Sequence, residues 1–264
     1  MPLTYRDYLQ IDDLLRLQRP RSEPPEHDET LFIVIHQVYE LWFKELLHEL
    51  DYLKALLARR DTPRALATLK RVLTILKVAV AQIDVLETMT PLEFLSFRER
   101  LESGSGFQSF QFRELEFLLG LKHPAALERY PAGSAQRIRL ERRMGEPTVW
   151  DAFLRFLSAA GYPVPPELLA RDVAAPVAAA PALRPVLIEI YRRDPMVSTL
   201  CERLVDLDEG LQEWRYRHVK MVQRTIGAKP GTGGSEGAAY LMTTLNQPVF
   251  PDLWAIRTEL GQAR

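Results

Sequence analysis

His36 and His218 are the residues whose type and position most directly suggest chemistry in this 264-residue chain. Around His218, apolar residues recur every three or four positions at Leu200, Leu204, Leu207, Leu211, Trp214 and Met221, which indicates one face of a long helix. In a second predicted helix, His36 follows Phe32 by four residues and therefore lies on the same face as Phe32. An imidazole on an apolar face needs a partner, either a hydrogen-bonding group of the core or a metal. Spacing alone leaves both interpretations open, and the ordinary core histidine is the commoner one.

The other three histidines, His27, His48 and His123, are predicted to be exposed or to lie off the apolar faces. A zinc site would require three or four ligands, which the pattern does not supply. Glu45 and His48 match half of a di-iron motif, but a second Glu-x-x-His is missing. A haem iron needs only one strong protein ligand, commonly histidine. A helical core with one axial and one distal histidine is therefore chemically coherent.

Two further segments contain groups that could bind a ligand. The loop Gly231-Thr-Gly-Gly-Ser-Glu-Gly237 follows a helix and lacks the Gly-Lys-Ser/Thr of a phosphate-binding loop. It is either a flexible connector or backbone that approaches a ligand, with the Thr232 hydroxyl as donor or acceptor. Arg98 is either a surface group or a clamp for a carboxylate in an apolar pocket. Ser105 is placed to cap a helix.

Helical periodicity dominates the chain and strand alternation is nearly absent, so we predict an all-α fold. Helices are expected at about 3–18, 29–58, 63–87, 148–160 and 185–193, through His218, within 92–120 and near 252–260. Asp28 is the expected N-cap of the second helix, and Pro63 suits the first turn of the third. No composition shift or repeat divides the chain, which predicts a single helical-bundle domain over residues 1–264.

Composition and charge narrow the classes of function. The chain has 34 basic and 35 acidic residues, a formal charge of −1, so nucleic acid is not expected as a partner. The Arg-rich stretch Arg137–Arg143 carries Glu141 and is interpreted as a solvated face. No apolar run is long enough for a membrane span, and the first residues do not resemble a signal peptide. The single cysteine, Cys201, fits a reducing compartment, so we predict a soluble cytoplasmic protein.

Separate motifs, in the same order along the chain, resemble those of the tryptophan 2,3-dioxygenase family over about residues 3–260. They are Thr4–Leu9, Phe32–Lys44, Ser105–Arg113, and Trp214–His218 with Gly231–Ser235. The resemblance implies an all-α homotetramer with one b-type haem per subunit. It also implies an enzyme that cleaves the indole C2–C3 bond of L-tryptophan with O2 to give N-formyl-L-kynurenine, the first step of the kynurenine pathway.

The resemblance also implies roles for individual residues. His218 corresponds to the axial haem ligand, and His36 to the catalytic distal histidine that hydrogen-bonds the indole N–H. Arg98 corresponds to the clamp for the substrate carboxylate and Thr232 to the contact for its ammonium group. The remaining matches are Phe32, Phe94 and Phe97 as indole walls, Ser105 and Gly106 near the haem edge, and Tyr5, Tyr8 and Leu9 in an arm (1–25) that closes a neighbouring subunit's pocket.

Two positions depart from the family pattern. Phe94 stands where several bacterial members have tyrosine, and Ile83 stands near a position where some members have tryptophan. The Phe94 departure does not put activity in doubt, but two alternatives stay open: a related haem oxygenase that acts on a substituted tryptophan or inserts one oxygen, and a non-catalytic haem-binding sensor. The presence of both Arg98 and Thr232 argues against the sensor, because haem sensing requires neither a carboxylate nor an ammonium contact.

Overall fold

The computed structural model describes residues 2–232 and 237–261. Their regular structure is entirely helical, without a β-strand, which confirms the predicted fold class. The α-helices are α1 (Tyr5–Leu9), α2 (Ile11–Leu14), α3 (His27–Ala58), α4 (Thr62–Leu86), α5 (Pro91–Arg98), α6 (Phe110–Leu119), α7 (Ala135–Met144), α8 (Val149–Ala159), α9 (Pro166–Leu169), α10 (Arg184–Arg193), α11 (Pro195–Ile226), α12 (Ala238–Thr243) and α13 (Pro251–Ala255). Within the described ranges, no helix is both long and apolar enough to cross a membrane.

Three long helices, α3, α4 and α11, form the frame that positions the candidate site. Helix α4 packs against both α3 and α11. The Tyr39 hydroxyl donates to the Ala79 carbonyl oxygen at 2.8 Å, which joins α3 to α4 across their buried faces. Asp61 caps α4 by accepting from the Arg64 amide at 3.2 Å, with Pro63 in the first turn as predicted.

The buried apolar side chains of these helices form one main core. It extends from Ile35 on α3 to Ile256 after α13, and α6 and α8 pack against α3 to complete it. Burying one leucine or phenylalanine contributes roughly 1.5–3 kcal/mol, so this core stabilises the long helices far more than their local propensities do. The single-domain assignment for residues 1–264 stays a prediction.

The N-terminal segment differs from the expected helix over residues 3–18. It forms two short helices, α1 and α2, which are separated at Gln10 by a left-handed backbone conformation with φ of 52°. Neither helix buries a residue, so tertiary packing does not enforce a continuous helix there. The arm joins the frame further along, where the buried Glu29 carboxylate accepts from the Arg21 amide at 2.6 Å and the Ser22 amide at 2.9 Å.

The interpretation of Arg137–Arg143 as a solvated face is wrong for Arg143. This stretch lies in α7, and the Arg143 guanidinium is buried against Asp51 at 2.8 Å and Glu114 at 2.9 Å. Burial raises the pKa of the Asp51 carboxyl, but the hydrogen bond and charge of Arg143 outweigh that effect and lower it overall. The carboxylates come from α3 and α6, so the local sequence of α7 could not reveal them.

The segment that follows the glycine-rich loop is fixed at its far end by one buried carboxylate. Asp208 on α11 accepts hydrogen bonds from the Val249 amide at 2.9 Å, the Phe250 amide at 3.0 Å and the Trp254 indole Nε1 at 2.9 Å. A carboxylate with several donors is well compensated for its burial. This contact places the chain beyond α12 back against α11.

Candidate active site

A cavity of about 230 Å³ lies between α3, α4, α5, α6, α11 and α12. Its wall includes eight of the residues singled out from the sequence, namely Phe32, His36, Phe94, Arg98, Ser105, Gly106, His218 and Thr232. These residues are far apart in the sequence, and the long helices bring them together. Four other predicted residues, Phe97, Tyr5, Tyr8 and Leu9, do not line the cavity within the described part of this chain.

His36 enters the cavity wall from α3 with one nitrogen already bonded. Its Nδ1 lies 2.7 Å from the carbonyl oxygen of Phe32, one helical turn earlier. Since a carbonyl can only accept, Nδ1 carries the proton and Nε2 is left with a lone pair. Burial lowers the pKa of His36, so the ring is neutral near pH 7. The side chain can therefore accept a hydrogen bond from a donor in the cavity.

His218 enters the same cavity from α11. Its ring stacks on Trp214 with centroids 5.0 Å apart and planes 9° from parallel. Burial, with a smaller effect of the nearby His36, lowers the pKa of His218 to about 4, so the ring is neutral. Across residues 2–232 and 237–261, no hydrogen bond is made to its ring nitrogens. A neutral imidazole with a free lone pair suits coordination to a metal.

The donor set around the cavity fits a haem. No group of three or more histidine, cysteine or acidic side chains with the arrangement of a metal site occurs among the described residues. An iron porphyrin brings four nitrogen ligands of its own and requires an axial ligand, which His218 can supply. The apolar rings of Phe43 and Phe112 and the side chain of Ile83 line the cavity, as a planar apolar macrocycle requires.

Three phenylalanines form an aromatic cluster on the His36 side of the cavity. The Phe32 ring lies 5.7 Å from Phe94 and 5.6 Å from Phe97, and the Phe94 and Phe97 centroids are 5.5 Å apart. Phe32 and Phe94 line the cavity, whereas Phe97 is fully buried behind them. Phe97 therefore supports the wall without forming its surface.

Arg98 and Thr232 both line the cavity, and each forms a hydrogen bond to the backbone of a loop. Arg98 Nη2 donates to the Pro230 carbonyl oxygen at 2.6 Å, and no ion pair engages Arg98 in the described chain. The Thr232 hydroxyl donates to the Gly104 carbonyl oxygen at 2.7 Å. Since that hydroxyl proton is committed, the oxygen lone pairs of Thr232 are available as acceptors, which suits an ammonium group. The rest of the predicted loop, 233–236, lies outside the described residues.

Ser105 and Gly106 line the cavity beside these loops. The Ser105 hydroxyl oxygen accepts from the Phe107 amide at 3.3 Å and so caps a 3-10 helix, Gly106–Gln108, as predicted. A Cβ at Gly106 would meet no atom within 4 Å, so the glycine leaves open space beside the cavity. That space is available to a ligand edge.

Four charged residues of the cavity wall were not identified from the sequence: Glu40, Arg113, Glu116 and Arg215. Arg113 and Glu116 are three residues apart and could have been read as one helical pair. Nothing in the local pattern indicates that Arg215, a hundred residues later, completes this group. With Arg98, the wall carries three arginines and two glutamates, and thus a net charge of +1 with both histidines neutral.

Three histidines and two tyrosines were expected at the surface of the chain. His27, His48 and His123 are exposed, as predicted. Tyr5 and Tyr8 are 77% and 72% exposed in the single chain. Their expected contact is with a neighbouring subunit's pocket and stays a prediction.

Comparison with known proteins identifies the family to which this chain belongs. The family model of tryptophan 2,3-dioxygenase matches residues 1–141 and 178–260. The chain belongs to the tryptophan 2,3-dioxygenase family. Among the proteins with that name, the one from Herpetosiphon aurantiacus is 63% identical over 258 residues, with 98% of each chain covered. That of Anaeromyxobacter sp. (strain K) is 57% identical, covering 98% of this chain and 96% of its own. That of Myxococcus xanthus is 46% identical, covering 97% and 89%.

The residues outside the family match also agree with the position of the site. Residues 142–177 contain α8 and α9, and neither helix contributes to the cavity wall. Every cavity-lining residue lies within the two matched ranges. The part of the chain that carries the site is thus the part that the tryptophan 2,3-dioxygenase family shares.

Proposed function

We propose that this chain is a haem-dependent dioxygenase that converts L-tryptophan and O2 to N-formyl-L-kynurenine. The observation that carries the proposal is the convergence of two neutral histidines, His36 and His218, on one cavity that also presents Arg98 and Thr232. His218 can provide a ligand for the haem iron and His36 a hydrogen-bond acceptor, and Arg98 and Thr232 match the carboxylate and the ammonium group of an amino acid.

His218 would hold the haem by coordinating its iron. Its unbonded ring nitrogens and lowered pKa favour coordination over protonation. When bound, haem supplies the binding and activation of O2, which protein side chains cannot provide. Non-covalent attachment follows from the cysteine content, because Cys201 is the chain's single cysteine and is fully buried in the helical core.

Arg98 and Thr232 would bind the zwitterionic end of the substrate. The Arg98 guanidinium can pair with the carboxylate through its planar donors, in addition to its contact with the Pro230 carbonyl oxygen. The Thr232 oxygen can accept from the ammonium group while its proton stays on the Gly104 carbonyl oxygen. Fixing both charged groups orients the indole, and this positioning would be the main contribution of the two residues to catalysis.

His36 would fix the indole itself. Its Nε2 accepts the indole N–H because Nδ1–H is donated to the Phe32 carbonyl oxygen. Phe32 and Phe94 enclose the ring and exclude water. In the overall reaction the indole C2–C3 bond breaks, and each of the two carbons gains one oxygen atom from O2 as a carbonyl. Both atoms of O2 therefore enter the product.

We also propose a homotetramer in which the arm of one subunit closes the site of another. The exposure of Tyr5 and Tyr8 on α1, a helix with no buried residue, supports this proposal, since such side chains gain most from a partner surface. The cytoplasmic location stays a prediction from the sequence.

The decisive experiment is a labelled-oxygen assay. Haem-reconstituted protein is reduced without oxygen and then mixed with L-tryptophan and ¹⁸O2, and the product is followed by absorbance and mass. We expect N-formylkynurenine with two labelled oxygens. One labelled oxygen, or turnover of a substituted tryptophan alone, would favour the related oxygenase. Haem binding without any turnover would favour the sensor.

A further inference from the structure

A buried group of charges joins three elements at one wall of the cavity. Glu116 on α6 lies between two arginines, because Arg113 Nη1 donates to its Oε2 and Arg215 Nη2 donates to its Oε1 at 2.8 Å. Arg215 Nη1 also donates to the carbonyl oxygen of Thr244, just beyond α12, at 3.2 Å. The side chains of Arg113, Glu116 and Arg215 are only 11%, 6% and 4% exposed. All three residues line the cavity.

This group has one positive charge in excess. Two guanidinium groups share the Glu116 carboxylate, and the other acidic residue of the wall, Glu40, forms no ion pair with either of them in the described chain and accepts a hydrogen bond from Gln111 Nε2 at 2.9 Å. A buried charge without a partner is costly, so an excess cation beside a cavity favours an anionic ligand.

Arg113 is the member with unused donors. Its Nε is buried without a hydrogen-bond partner, and its Nη2 forms no hydrogen bond within residues 2–232 and 237–261. Arg215, in contrast, uses both of its Nη atoms. A guanidinium that is held by Glu116 on one side is thus left with donors for a second carboxylate.

We propose that Arg113, held in place by Glu116 and Arg215, binds a propionate carboxylate of the haem. This inference rests on the proposed function, which brings a haem into the cavity. The substrate carboxylate has a separate partner in Arg98, so the carboxylates of the porphyrin are the anions that Arg113 can receive. The site therefore selects a porphyrin with free acid side chains over a neutral one.

The test compares iron protoporphyrin IX with its dimethyl ester, in which both propionates are uncharged. Affinities are measured from the Soret band for the wild-type chain, for Arg113→Met, and for Arg139→Met as a matched control. Arg139 pairs with the buried Glu114 at 2.6 Å and does not line the cavity. We expect Arg113→Met to lower the affinity for the free acid about tenfold or more, as for a lost charged hydrogen bond, and to leave the ester unchanged. The control variant Arg139→Met should change neither the affinity for the free acid nor that for the ester.

Several outcomes would overturn the assignment. An equal loss for both porphyrins would mean that Arg113 only supports the fold, and no loss would mean that the propionate lies elsewhere. If Arg113→Met does not fold, Arg113→Lys, which keeps the charge, should retain part of the preference. Equal wild-type affinity for acid and ester would reject the site without any variant. Failure of the wild-type chain to bind either porphyrin would instead refute the proposed function.

Discussion

At the scale of single residues, the two cavity histidines differ in how their nitrogens are bonded. His36 has one nitrogen committed to the Phe32 carbonyl oxygen, whereas the ring of His218 is stacked on Trp214 without a hydrogen bond in the described chain. Spacing placed both on apolar faces but could not separate their roles. The difference arises from the surroundings of each ring, which only the packed helices define.

Removing His218 should abolish stoichiometric haem binding. In His218→Ala the axial nitrogen is lost, and no other histidine lines the cavity except His36 within the described residues. Soret titration of the purified variant is the measurement. His48→Ala, which changes an exposed histidine of α3, is the control and should bind haem as the wild type does. Full haem occupancy in His218→Ala would require a different axial ligand.

Removing His36 should leave haem binding intact and weaken turnover. In His36→Ala the acceptor for the indole N–H is absent, and we expect kcat/KM for tryptophan to fall roughly ten- to hundredfold through loss of positioning. A tryptophan methylated at the indole nitrogen lacks that N–H, so the gap between variant and wild type should narrow or reverse. If the variant lost its haem, His36 would have to be reassigned as a ligand.

The effect of removing Arg98 on KM should depend on whether the substrate has a carboxylate. Arg98→Ala is expected to raise KM for tryptophan about tenfold or more, since a charged hydrogen bond contributes about 1.5–3 kcal/mol. Tryptamine, which has no carboxylate, should show little difference between the two proteins. Steady-state kinetics with both substrates is the measurement. A similar KM increase for tryptamine would indicate that Arg98 acts by holding the Pro230 loop.

At the scale of elements, the sequence predicted the long helices well and missed those that depend on distant partners. Helices α3, α4 and α11 carry long apolar stripes, so their periodicity was sufficient. The short helix α7 has few apolar residues and is fixed by Arg143, whose acidic partners lie 92 and 29 residues away. The charged wall of the cavity was missed for the same reason. A local sequence pattern predicts the face of the helix on which a residue lies, but not the distant residue that it contacts.

Lys122 shows how a single buried donor joins such elements. Its Nζ donates to the carbonyl oxygens of Met144, Glu146 and Val173 at 2.9, 2.5 and 2.7 Å. In Lys122→Met these three acceptors lose their donor, so we expect the free energy of unfolding to fall by about 3 kcal/mol. Denaturant unfolding measures it, with the exposed Lys70→Met as control. An unchanged midpoint would mean that water replaces the ammonium group at no cost.

At the scale of the whole molecule, the arm prediction concerns how subunits complete one another's sites. A chain with Tyr5→Ala and Tyr8→Ala has an intact cavity, and a chain with Arg98→Ala has an intact arm. If the arm acts on a neighbour, mixed oligomers of these two weakly active chains should contain some sites with both parts intact. Activity after refolding the mixture should exceed the mean of the two parents. Activity equal to that mean would place the arm's function within its own chain.

The hydrogen bonds that the Asp208 carboxylate accepts have a consequence for the conformational entropy of the chain that carries Thr232. Thr232 lies on a connection that leaves α11 at Gly227 and is secured again at Val249 and Phe250 by that carboxylate. Closing a chain between two fixed points costs conformational entropy, and the Thr232 hydroxyl is itself held by its hydrogen bond to the Gly104 carbonyl oxygen. If Thr232 contacts the substrate as proposed, most of the entropic cost of bringing it there is therefore incurred once, when the chain folds. Each catalytic cycle would then have only a small remaining entropic penalty, and Thr232 would act at a high effective concentration.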